Sequence, residues 1–113
     1  MESILTTIKK LLGITEEYKH FDNDIVVHIN MALMTLNQLG VGPTDPYVIT
    51  SEMDRWDDFL KETKNLEAVK TYVYLKVRLA FDPPANSSLI EAITRQISEL
   101  EWRLNVAVDT KTN

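Results

Sequence analysis

The chain has 113 residues, 44% hydrophobic and 26% charged, a size and balance that fit one globular domain with a single core and exclude disorder over most of its length. Lys and Arg number 12 against 17 Asp and Glu, for a formal charge of −5, and the basic residues are scattered, which disfavours a tight nucleic-acid binder. No cysteine is present, so disulfides and thiolate metal sites are excluded, and Glu2, Lys9 and Lys10 interrupt the N-terminal apolar run too early for a signal peptide or membrane span.

A soluble protein of a reducing cytoplasm is therefore expected. The first predicted element is a short amphipathic helix: Ser3 is its N-cap, Ile4, Leu5, Ile8, Leu11 and Leu12 form its stripe, and Gly13 ends it in a left-handed turn. The second starts near Asp22 to Asp24, whose carboxylates suit the positive end of a helix, and runs to Gly40. Ile25, Ile29, Ala32, Leu36 and Leu39 make one stripe, while Val27, Met31 and Met34 make the other side apolar as well. Asn30 and Asn37, one heptad apart, either fix packing register by hydrogen bonding or lie exposed.

Residues 41 to 50, VGPTDPYVIT, hold two prolines and a glycine and predict a loop with a short extended piece at Tyr47 to Ile49. Ser51 and Asp54 have capping-box-like spacing ahead of a short helix carrying Met53, Trp56 and Leu60. From Leu66 to Pro84 the chain shows two apolar stripes at helical pitch. Leu66, Val69, Val73, Val77 and Ala80 form one, and Ala68, Tyr72, Leu75 and Leu79 form a second roughly 150° away. Such a helix is either central in a bundle or pressed against another chain. Asn65 is placed to cap it, and Pro83 and Pro84 stop it.

The last predicted helix has Ser88 and Glu91 as a capping box and the stripe Ile93, Ile97, Leu100 and Leu104, with Trp102 and Val106 on the opposite, polar side. Trp102 is either covered by the tail or first helix, or it anchors an intermolecular contact. The whole reads as an all-α bundle of about five helices in one domain, residues 1–108, with a Pro/Gly loop between the second and third helices and a flexible tail at 109–113.

Nothing in the pattern makes an active site. His20 and His28 lack the further ligands a metal needs, and the group Asp54, Asp57, Asp58 and Glu62 lacks the matching acidic pair with which helical nucleotide hydrolases hold magnesium, so it reads as a solvated face. No phosphate-cradling glycine loop or nucleophile motif occurs. No catalytic, cofactor or metal residue is assigned. The residues with unassigned apolar surface, Val27, Met31, Met34, Tyr72, Leu75, Leu79 and Trp102, are the candidate subunit or partner interface, with the weight on Leu75 and Leu79.

The ordered blocks DNDIVVHINMALMTLNQLGVG, WDDFL and LEAVKTYVYLKVRLAFDPP, followed by a capped helix ending ISELEWRLNV, resemble the small head-tail connector proteins of tailed bacteriophages and prophages, across about residues 3 to 106. The resemblance implies a non-catalytic head-completion adaptor of the virion, synthesised in the host cytoplasm. It implies a ring of about twelve copies between the portal protein and a neck or tail-completion protein, with genomic DNA only as passing cargo and no membrane. An acidic chain suits a channel that must not hold DNA. Two other classes fit the residues: a small cytosolic helical regulator that binds a protein partner through the same apolar faces, and a metal-dependent nucleotide hydrolase.

Overall fold

A computed structural model describes the backbone of residues 2–112 and the side chains of residues 2–108. The tail expected at 109–113 lies outside the described side chains. Among the described residues the chain forms five helices and no strand: α1 (Ile4–Leu11), α2 (Asp22–Gln38), α3 (Trp56–Phe59), α4 (Leu66–Phe81) and α5 (Ser87–Thr112).

Local chemistry explains most helix ends. Ser3 caps α1 by accepting from the Thr6 amide at 3.2 Å, and Gly13 follows it at φ +82°, a conformation that costs a side chain about 1–2 kcal/mol. Elsewhere the caps differ from those expected. Asn86, not Ser88, caps α5, its side-chain oxygen accepting from the Ser88 and Leu89 amides. Asn65 stands at the α4 N-cap, but its amide donates to Glu62 at 3.2 Å instead of capping. The short helix α3 starts at Trp56, later than the Ser51 spacing suggested, because the Asp54 carboxylate is taken up by the Thr50 and Ser51 amides and Asp58 accepts from the Arg55 amide instead.

The centre of the molecule is α4, which packs against α1, α2 and α5. This answers the question raised by its two stripes. Leu66, Val69, Val73 and Val77 are buried on one side and Tyr72 and Leu75 on the other, with Leu79 and Ala68 partly covered. The core continues through Ile25, Ile29, Leu33 and Leu36 of α2, Ile4 and Ile8 of α1, and Trp56 and Phe59 of α3. The N-terminus and α3 are tied by backbone bonds from Ile4 to Asp54 and from Trp56 to Glu2, an isolated antiparallel bridge between Ser3 and Arg55.

The segment between α2 and α3 is irregular but held down. Asn30 of α2 exchanges two hydrogen bonds with the Ile49 backbone, at 2.8 and 3.0 Å, and Asn37 donates to the Pro43 and Thr44 carbonyls. Both asparagines therefore work as backbone mimics on the α2 face. Within this segment Gly42 has φ +91°, and a Cβ there would lie 2.6 Å from the Phe59 ring. Gly42→Ala is expected to cost about 2 kcal/mol, combining left-handed strain with displacement of a buried ring, and thermal unfolding followed by circular dichroism will read it.

The molecule measures 44 × 35 × 19 Å, barely two helix diameters thick. Its accessible surface of 6952 Å² exceeds by roughly 600 Å² that expected of a compact 13.0 kDa monomer. Flatness leaves faces that a rounder fold would have covered.

Candidate subunit and partner interface

The first unpartnered face is on α2. Val27, Met31 and Met34 recur at i, i+4 and i+7, which puts them on one side of the helix, and they are 55%, 60% and 56% exposed. The opposite side of the same helix supplies Ile25, Ile29 and Leu36 to the core, so the second apolar side has no work to do inside the subunit. Methionine side chains suit a surface that must fit a mating one, because they are unbranched and polarizable.

Met31 also leads into a groove of about 400 Å³ between α2, α4 and α5, lined by Ala32, Thr35, Lys76, Leu79 and Ile97 among others. The groove holds His28 and Lys76 at its sides and no carboxylate. Of the residues expected to share an interface, the fold thus brings Met31 and Leu79 together, with Val27 and Met34 on the same helix face as Met31. Tyr72 and Leu75 are placed differently: both lie inside the subunit, Tyr72 fully buried and Leu75 with 6% exposure, because α4 is enclosed by three other helices. The Tyr72 hydroxyl donates to Glu101 of α5 at 2.7 Å, and burial followed by this bond pushes the phenol pKa upward.

The second unpartnered face is on α5. Ile97, Leu104 and Val108 turn inward, and Asn105 donates to the Leu39 carbonyl, so Trp102 and Val106 are left on the outer side. Trp102 is 67% exposed and uncovered by α1. Glu99, one turn before it, pairs with Arg103 at 2.8 Å in the open, a contact of small net worth.

Val48 and Met53, exposed at 60% and 78%, add apolar surface in the segment that Asn30 and Asn37 fasten to α2. Sequence reasoning gave Met53 to a helix stripe and Val48 to an extended piece. The unused signal was the amide side chains of the two asparagines, which present the segment outward. A larger cavity of about 670 Å³ opens at the other end of the segment, against Gly42, Phe59, Leu104 and Val108, with Lys61 and Lys64 at its edge.

The acidic group does not assemble into a metal site: no cluster of three or more His, Cys, Asp or Glu side chains suited to an ion occurs among the described residues. Its effect falls on Tyr47, which packs on Phe59 with ring centroids 5.6 Å apart. Burial first, and then the charges of Asp54 and Asp58, push the Tyr47 phenol from its ordinary 10.0 up to about 12. A phenol held neutral by the fold contributes stability that is complete below pH 10.0 and is lost as pH rises toward about 12. Alkaline unfolding should steepen in that window, and Tyr47→Phe should flatten it, as read by circular dichroism against pH.

No helix among the described residues is long and apolar enough to cross a membrane. A family model described as phage connector protein matches residues 4–111. Neither a curated protein nor a solved structure matches the chain.

Proposed function

The chain belongs to the phage connector protein family, and from that premise we propose that it is a structural adaptor subunit that assembles with further copies of itself into a closed ring between the portal and the neck or tail proteins, through which DNA passes. The observation that supports this reading is the pair of apolar faces, Val27, Met31 and Met34 on α2 and Trp102 with Val106 on α5, on different sides of one thin subunit. A closed ring is built from heterologous contacts, in which each subunit offers one surface to its left neighbour and another to its right. A helical regulator with one partner needs a single such face. The formal charge of −5 favours passage of DNA over retention, since it offers phosphates few cations to exchange for counterions.

The adaptor needs no catalytic group, and it acts in the virion after synthesis in the host cytoplasm. Electron microscopy of the purified chain mixed with its portal protein tests the reading. Rings stacked on the portal are the expected result, and a chain that never binds portal and is dispensable for tail attachment would overturn it. A monomer in the absence of portal is compatible, because the portal can act as the template.

A further inference from the structure

We propose, building on the adaptor reading, that the contact between neighbouring copies is a knob in a groove: Trp102 of one copy seats in the groove between α2, α4 and α5 of the next, and Glu99 of the incoming helix faces Lys76 of the receiving one. Four observations carry it. Trp102 is the largest exposed apolar side chain among the described residues, and tryptophan is a favoured anchor at the centre of interfaces. The groove, about 400 Å³ and walled by Met31, Ala32, Leu79, Ala80 and Ile97, falls within the roughly 300–1,000 Å³ range of pockets that take small organic ligands, and so has room for an indole.

The charges match as well. His28 and Lys76 are the ionisable residues lining the groove, and Lys76 makes no ion pair or hydrogen bond within the described part of the chain. Glu99 stands exposed one turn from Trp102, and its surface pair with Arg103 is weak enough to be exchanged. Area is the fourth point. The roughly 600 Å² by which the slab exceeds a compact monomer of its mass approaches the ~800 Å² that each partner contributes to a standard interface.

Knob and groove cannot be filled within one subunit. Ile97 faces the groove, whereas Trp102 lies five residues on, about 7.5 Å along the axis and roughly 140° around it. A copy must therefore give its knob to one neighbour and take the knob of another, which is the heterologous geometry of a ring.

The test uses the full chain assembled on portal protein. This chain has only two tryptophans and Trp56 is fully buried, so with the portal's own emission subtracted quenching by acrylamide reports on Trp102. On assembly the quenching should fall about threefold, with emission shifted to the blue, as expected of an anchor excluded from water. Lys76→Glu alone and Glu99→Lys alone should each weaken assembly about tenfold, and the two together in every copy should restore it, with helicity unchanged throughout. Three results would overturn the proposal: rings in which Trp102 stays fully quenchable, additive loss in the doubly reversed chain, or protection of Trp102 by portal without contacts between copies. The first two leave the adaptor reading standing. A chain that forms no assembly with portal would end both.

Discussion

Trp56→Ala is expected to lower the stability of the subunit by about 3–5 kcal/mol, enough to unfold a large share of the molecules at physiological temperature. Trp56 is fully buried, and its indole nitrogen donates to the Thr7 hydroxyl at 2.9 Å, across 49 residues of sequence. The Lys70 ammonium lies 5.9 Å from the ring centroid, and the backbone of Trp56 donates to Glu2. One residue thus joins the N-terminal segment through its backbone and α1 and α4 to α3 through its side chain. Its removal leaves a cavity in a domain only two helices thick and takes from the Thr7 hydroxyl the bond it accepts, while the bond it donates to the Ser3 carbonyl at 2.7 Å remains. Chemical denaturation will measure the loss, and Trp56→Phe, which keeps most of the volume but not the donor, should recover more than half of it.

Asp22→Ala and Lys9→Met are each expected to cost about 3 kcal/mol, and the double variant less than the sum of the two. The Lys9 side chain is 3% exposed, with its ammonium 2.9 Å from the Asp22 carboxylate and hydrogen bonded to the Glu16 and Tyr18 carbonyls. It fastens residues 12 to 21 onto α1 and brings Phe21 edge-on to Phe81 at the end of α4, 5.3 Å between ring centres. Removing the carboxylate strands a charge that remains inside. Removing the ammonium leaves the Asp22 Oδ1, itself shut off from water, and the Glu16 and Tyr18 carbonyls without their donor. Denaturant melts of both variants and of the double variant therefore separate the penalty of an unpaired ion from the worth of the pair, and strictly additive losses would contradict this account.

The helices were legible in the sequence because their stripes are regular and their stops are chemical: Gly13 and Gly40 both adopt positive φ, and α4 ends before Pro83. Caps were less legible. Ser3 behaved as expected, but Asp54, Asn65 and Asn86 each had more than one backbone amide or side chain within reach, and tertiary placement chose among them. The exposed apolar faces of α2 and α5 were legible for a simple reason. On each of these helices the core takes one side, and what stands opposite is exposed.

On α4 that logic fails. Periodicity shows two apolar sides but not how many helices surround them, so Tyr72 and Leu75 looked like surface and are interior. The buried Lys9 was invisible for a related reason: a lysine between apolar neighbours reads as a snorkelling surface residue until the carbonyls that receive it are in place.

The 19 Å thickness has a thermodynamic side. A slab keeps fewer of its apolar atoms from water than a sphere of equal mass, so the free subunit has less reserve against heat than its length suggests. In the proposed ring, neighbours that cover its faces would bind only the folded form and by mass action shift folding toward it. On that proposal the melting temperature would belong to the assembly and rise with protein concentration, and a connector of this shape would gain its durability at the place where it is used.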